Sequence, residues 1–337
     1  MMRRSLWPES GVTRRAALAL GIVGLAACAP ARPKGRTTLI TGAASGGGND
    51  AFGQLFAQHL GRLTGQTIQV EFETRAGGSL AASRLAKAPA DGSIISMLPS
   101  KLIYEDQLAT TGETSDLARL SSLGGIGADR RVLVVSARSA ITSFDVLVNR
   151  ATPVILAAST LSSGGYVEPL IVNHLTGAKL KPIPGYAGGA RNLAVLSGEA
   201  DGAVGELASL KPLLDAGGRV ILRLNDIVEP ASAQAPSLAS LAHGPDQAAL
   251  LLLISAVASL GRMFTLPPGA PPPLLAGWRS RLDQVVADPV FRAAATAQEF
   301  NLDQTAGAEV DRILHQLFDR STPVIPALRR AMAAPRV

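Results

Sequence analysis

Thr41-Gly42-Ala43-Ala44-Ser45-Gly46-Gly47-Gly48 places four glycines in eight residues, directly ahead of Asn49 and Asp50. Glycines in that position let bare backbone N–H groups collect at the positive end of a helix dipole, which makes a site for a phosphate or a carboxylate. Asn49 or Asp50 can also cap such a helix. Asp50 has two readings that stay open: orienting a ligand, or sitting in a first helical turn where an acid is favourable anyway. The run fits the TGxxxGxG pattern of dinucleotide-binding short-chain dehydrogenases. Those enzymes also need a Tyr-x-x-x-Lys pair, and Tyr104, Tyr166 and Tyr186 are followed four residues on by Leu108, Leu170 and Ala190. The nicotinamide reading therefore fails on its catalytic pair, while the anion-site reading survives.

Other reactive residues are sparse. His59, His174, His243 and His315 form no HxH, HxxxH or HExxH spacing, so no metal is expected and ordinary surface or core roles suffice. Ser45 has Ala43 two residues before it, so no nucleophile elbow exists. Cys28 is the single cysteine, which excludes intrachain disulfides, CxxC redox chemistry and thiolate clusters. No cofactor is expected.

The elements that must position these residues alternate. Thr37 to Thr41 is β-rich, and Phe52, Leu55, Phe56, Leu60 and Leu63 recur at helical spacing. Thr67 to Phe72 alternates as a strand, Leu80 to Lys87 is helical, Pro89-Ala90-Asp91-Gly92 marks a turn, and Ile94 to Leu98 is an apolar strand. This β-α-β-α-β order predicts a parallel sheet with helices on its faces. Further strands are expected at Arg131 to Ser136, Val154 to Ala158 and Val220 to Leu224, with a helix over Ala190 to Leu196. Two α/β lobes follow. Helices at Leu274 to Val286, Pro289 to Ala297 and Ala308 to Phe318 are expected to pack back on the first lobe. The apolar run Ala248 to Ala258 is too short for a bilayer span of about 20 residues and reads as a buried helix.

At the N-terminus, Thr13-Arg14-Arg15 precedes an apolar run from Ala16 to Ala27, the length of a signal-peptide core. Leu25-Ala26-Ala27-Cys28 is similar to the bacterial lipobox, and the twin arginine resembles a Tat signal. Residues 1–27 are thus expected to be an export signal, Cys28 a lipidated anchor in the membrane, and 28–36 a tether. Seven basic residues and one acid within residues 1–36 account for the whole net charge of +6, so the rest of the chain is formally neutral and offers no nucleic-acid footprint. With 47% apolar residues in 337, the chain is long enough for two domains with cores, and disorder is disfavoured.

A longer series of motifs runs through the chain. Gly46-Gly47-Gly48-Asn49-Asp50, Gly65-Gln66, Ala76-Gly77-Gly78 and Pro89-Ala90-Asp91-Gly92 resemble, in order, the first-lobe signature of tripartite tricarboxylate transporter receptors. Gly185-Tyr186-Ala187-Gly188-Gly189, Gly198-Glu199-Ala200-Asp201-Gly202, Gly261-Arg262-Met263-Phe264 and Asp288-Pro289 are similar to its later parts. The chain departs from the family pattern at Ser45, at Ala187 and at Val167-Glu168-Pro169.

The resemblance implies an α/β type II periplasmic-binding-protein fold, with lobe 1 formed by residues 37–135 and 259–337, and lobe 2 with its crossover by 136–258. It implies a small carboxylate held by backbone N–H groups and hydroxyls of Ser45, Gly46, Gly47, Gly48, Asn49 and Asp50 on one side and Tyr186, Ala187, Gly188 and Gly189 on the other. Ser100 and Ser162-Ser163-Gly164 each follow an expected strand, where ligands of open α/β sheets bind, and are further candidates. Glu206 would repel an acid inside such a cleft and is expected instead in a peripheral salt bridge. The implied function is that of a monomeric, non-enzymatic receptor in the periplasm that delivers its ligand to membrane permease subunits. Presentation of the ligand to a sensor kinase is the alternative.

Overall fold

The computed structural model describes residues 35–42, 48–73, 78–108, 117–319 and 321–333. The expected signal, Cys28, the tether up to residue 34, and Ser45, Gly46, Gly47, Ala76 and Gly77 lie outside the described residues.

Strand β1 (Arg36–Thr41) pairs in parallel with β2 (Thr67–Phe72) and with β3 (Ile94–Pro99). The crossovers are helices α1 (Gly48–Thr64) and α2 (Ser79–Ala86), as the hydrophobic periodicity requires. Phe52, Leu55, Phe56 and Leu60 turn the buried face of α1 to the sheet. After α3 (Leu102–Leu108) the chain runs through β4 (Ser121–Ile126) and enters a second sheet through β5 (Arg131–Val135). That sheet continues with β6 (Val154–Ala157), β7 (Leu180–Ile183), β8 (Gly202–Glu206) and β9 (Arg219–Arg223). Helices α4 (Gly164–Thr176) and α5 (Gly189–Ser197) connect its parallel members. The long apolar helix α6 (Gln247–Leu260) returns the chain to the first sheet as β10 (Arg262–Leu266). The C-terminal elements are α7 (Pro272–Ala287), α8 (Pro289–Ala297), β11 (Gln304–Ala306), α9 (Gly307–Phe318) and α10 (Val324–Ala333).

The first sheet has the order β11-β4-β10-β3-β1-β2 and the second β7-β6-β8-β5-β9. The first sheet is mixed, not purely parallel, because β10 returns from the second half and lies antiparallel between β3 and β4. Arg131–Val135, grouped with the first lobe on sequence grounds, is hydrogen-bonded between β8 and β9 of the second sheet. Helices α7 and α8 pack on α1, and α9 packs on β4. Helix α10 instead lies on α4 and α6, because Val324, Ala327, Leu328 and Ala331 form a helical stripe that joins the apolar layer there.

That layer is continuous through both halves: Ile40, Leu98 and Tyr104 share it with Leu133, Val167, Leu250 and Leu328. A separate aromatic cluster fixes α1 against the first sheet and the C-terminal helices. The Phe56 and Phe264 rings lie 4.3 Å apart, and Phe52 meets Phe291 and Phe300 edge-on at 6.0 and 5.2 Å. The register at the start of β10 depends on Gly261. Its φ is +48°, and a Cβ there would stand 1.9 Å from the Gly127 carbonyl oxygen, so the two backbones approach as only glycine permits.

Among the described residues no helix is long and apolar enough to cross a membrane.

Candidate functional site

The C-terminal ends of β3, β6 and β8 and the antiparallel starts of β5 and β10 meet along one edge, where the two halves enclose a cavity of about 220 Å³. This is below the ~300–1,000 Å³ typical of drug-sized ligand sites and suits a small metabolite. Asn49 reaches it from the start of α1, Ser100 and Tyr104 from the segment after β3, and Gly261 and Arg262 from β10. The second half contributes Ser159, Ser163, Gly164, Gly165 and Glu168 after β6, Arg191 on α5 and Glu206 at the end of β8. Asp129 and Arg131 come from the crossing between the sheets.

One part of this lining is neutralised internally. Arg131 donates to Glu168 through Nη2 at 2.6 Å and through Nε at 3.1 Å, and the Tyr104 hydroxyl donates to Glu168 Oε1 at 3.1 Å. Glu168 is 1% exposed and Tyr104 is fully buried, so these bonds are made with little competition from water. Burial opposes the Arg131 charge, but the attraction of Glu168 and Asp129 outweighs it and holds the guanidinium above its ordinary pKa. Burial, then the Glu168 charge, push Tyr104 well above the phenol value, so its hydroxyl stays protonated and donates. Gly164 makes room for this pair: a Cβ there would meet Arg131 Nη2 at 2.6 Å and Glu168 Oε1 at 2.9 Å.

The remainder of the lining keeps free capacity. Helix α4 is 13 residues long and begins at Gly164, so the Gly164 and Gly165 N–H groups have no intrahelical acceptor and lie at the cavity wall. Arg191 donates through Nη2 to Ser209, while its buried Nε has no hydrogen-bond partner among the described residues; burial and the nearby Arg131 lower its pKa to about 10. Arg262 Nε donates to Asn49 Oδ1 at 2.8 Å, and its guanidinium lies 4.5 Å over the Phe52 ring. Neither arginine forms a salt bridge among the described residues. Burial lowers the Arg262 pKa as well. Asp129 is raised to about 7, chiefly by burial and then by the Glu206 charge.

The sequence candidates divide. Asn49, Ser100, Ser163 and Gly164 line the cavity, while Gly48 and Asp50 stand with Asn49 in the first turn of α1. The Ser163 hydroxyl is occupied, donating to the Thr160 carbonyl at 2.7 Å, so its segment offers mainly the helix N–H groups. Ser162 sits at the rim, donating from Oγ to Glu105 Oε1 at 3.1 Å across the two halves. Tyr186, Ala187, Gly188 and Gly189 do not join the lining. Gly185 and Tyr186 continue the pairing beside β6 by donating to Ser159 and Ala158, and the Tyr186 hydroxyl turns outward to donate to Glu199 Oε1. Glu206 is also a correction: it faces the cavity, because β8 ends at the common edge, and forms no salt bridge among the described residues.

Sequence reasoning passed over Tyr104, Asp129, Arg131, Arg191 and Arg262. Only Gly261-Arg262, inside a family-like motif, carried a signal that could have drawn attention. Among the described residues no group of three or more His, Cys, Asp or Glu is arranged to hold a metal ion. His174 Nε2 lies 2.8 Å from Asp246 Oδ2, and His59 Nδ1 3.8 Å from Asp288 Oδ2, both away from the cavity.

Two mixed sheets joined by helices around a shared cavity are the architecture of a periplasmic binding protein. No family model matches the chain. A 60-residue stretch is 42% identical to the UPF0065 protein in the TAR-I ttuE-ttuC' intergenic region of Agrobacterium vitis, a match that spans 18% of this chain and only 17% of that relative. Solved structures match over far more of the length. A TctC solute binding protein from Polaromonas, solved without ligand, superposes with a TM-score of 0.69 at 15% identity, covering 90% of this chain and 99% of that one. An R. palustris protein solved with adipate gives 0.67 at 20% identity, covering 89% and 99%. MatC from Rhodopseudomonas palustris, with bound malate, gives 0.61 at 18%, covering 88% and 97%. The chain has the fold of the TctC-type solute-binding proteins.

Proposed function

We propose that this protein is an extracytoplasmic receptor of the tripartite tricarboxylate type, which captures a small organic carboxylate and delivers it to membrane permease subunits without transforming it. The observation that carries this reading is the donor set at the cavity wall: the Gly164 and Gly165 N–H groups at a helix start, and two guanidinium groups, Arg191 and Arg262, that form no salt bridge among the described residues. Ser100 and Asn49 complete it from the other half. Two or three charge-assisted hydrogen bonds at about 1.5–3 kcal/mol each, with some burial, reach the ~8 kcal/mol of a micromolar site. The adipate and malate in structures of the same fold support a carboxylate.

Export by the 1–27 signal and anchoring through Cys28 fit such a receptor. Closure of the two halves, which Tyr104–Glu168 and Ser162–Glu105 already bridge, is the change that a permease would read.

The test is a thermal-shift and calorimetric screen of the full chain in detergent against di- and tricarboxylates and amino acids. A ligand at 100 times its Kd should add about 2.7 kcal/mol of stability. Absence of binding by every carboxylate sinks the reading. For the anchor, mass spectrometry of the protein from its envelope should show an acylated Cys28, and Cys28→Ala should release it to the soluble fraction.

A further inference from the structure

The cavity holds two carboxylates that no described residue pairs directly, although Arg131 and Arg262 attract Asp129, and Arg191 and Arg262 attract Glu206, at longer range. Asp129 and Glu206 both line it, and neither side chain makes a hydrogen bond or salt bridge among the described residues. Glu168, in the same wall, shows what a committed acid looks like here, with Arg131 and Tyr104 satisfying it. Lys101 lies 3.8 Å from Glu105 and is likewise accounted for. Once these internal pairs are removed, the lining presents Arg191 and Arg262 against Asp129 and Glu206, two charges of each sign.

A dicarboxylate meeting this set would satisfy the arginines but bring its own negative charges beside two bare acids, where the enclosed site screens repulsion poorly. A ligand with a cation beside its carboxylate has no such conflict. It also supplies what the acids lack, since a buried carboxylate is tolerable when it is paired. Burial and the neighbouring Glu206 raise the Asp129 pKa against the pull of Arg131 and Arg262, as expected of an acid with no cation in direct contact.

We propose that the ligand is a zwitterion, a small carboxylate that also bears an ammonium or guanidinium group, with Asp129 and Glu206 receiving the cation and Arg191, Arg262 and the α4 N-terminus the acid. The proposal rests on the carboxylate-receptor reading above and narrows its ligand class.

Matched pairs test it by calorimetry on the full chain: succinate against aspartate, glutarate against glutamate, and butyrate against 4-aminobutyrate. At least one amino-bearing member should bind ten times or more tighter than its partner. Asp129→Asn and Glu206→Gln should each shrink that ratio toward one, while the plain dicarboxylate binds as well or better. The melting temperature of ligand-free Asp129→Asn should hold or rise, since burial and the Glu206 charge outweigh the attraction of Arg131 and Arg262 there, and a cooperative unfolding transition of Glu206→Gln shows that this variant folds too. If dicarboxylates bind tightly and their amino analogues no better, the zwitterion is overturned and the receptor stands. Should no carboxylate of either kind bind, the receptor reading falls and takes this one with it.

Discussion

Two sets of charges share one cavity and are handled in opposite ways. Arg131, Glu168 and Tyr104 are buried, close-fitted and mutually satisfied, whereas Asp129, Glu206, Arg191 and Arg262 face the same space and form no salt bridge among the described residues. The first set has the character of structure. It ties the segment after β3 to helix α4 and leaves nothing for a ligand to gain. The second set keeps charge capacity that a ligand could use, and perturbed charges of this kind at a cavity wall are the ordinary signature of a recognition site.

The sharpest way to break the contrast is at Glu168. Glu168→Gln leaves the Arg131 guanidinium buried without its counter-charge and is expected to cost about 3–5 kcal/mol of stability in urea titrations. The double change Arg131→Met with Glu168→Leu should cost much less. Equal losses from the single and double variants would show that the pair is not a unit.

Next in size is Arg191→Ala. Burial already opposes its charge, lowering its pKa to about 10, so folding stability should change little. Carboxylate affinity should fall roughly ten- to a hundredfold, the value of about 1.5–3 kcal/mol for a hydrogen bond to a charged group. Loss of stability with unchanged affinity would move Arg191 into the structural set.

Asp129 offers a smaller, pH-dependent effect. Its pKa in the folded protein, about 7, lies above the ordinary carboxylate value, so the folded state holds the proton more tightly than the unfolded one. Its contribution therefore favours folding at acid pH and is lost as pH rises from about 4 through 7. The groups acting on it are Glu206 and Glu168, which raise its pKa, and Arg131 and Arg262, which lower it. The melting temperature of Asp129→Asn should gain on that of the native protein across this interval when both are ligand-free. A constant difference would show that Asp129 is already paired.

The smallest expected effect is at Tyr186→Phe, which removes a hydroxyl that donates to Glu199 outside the cavity. Ligand affinity should stay within about twofold. A larger drop would restore the Tyr186–Gly189 loop to the site.

The framework was legible in the chain because its signals are local. The strand over Thr67–Phe72, expected from alternation, and the helix over Pro289–Ala297 coincide with the expected spans, and the β-α-β-α-β start differs only by a residue or two at its ends. The site was legible in part. Ser100 and Gly164 follow strands whose C-terminal ends form the common edge, a rule of sheet topology that needs no knowledge of neighbours. The Tyr186–Gly189 loop obeys the same rule and still misses the cavity, since its backbone carries on pairing with the segment after β6.

Taken alone, the order of residues determined where elements begin and end, which faces they bury, and where glycine frees the backbone, all properties decided within one or two turns of chain. Tertiary structure alone decided which charges meet. Asp129, Glu168, Arg191, Glu206 and Arg262 come from different elements, and no spacing rule links them. Their pairing follows from the edge at which two sheets end, because Coulomb and hydrogen-bond partners are chosen by distance in space and by exclusion of water.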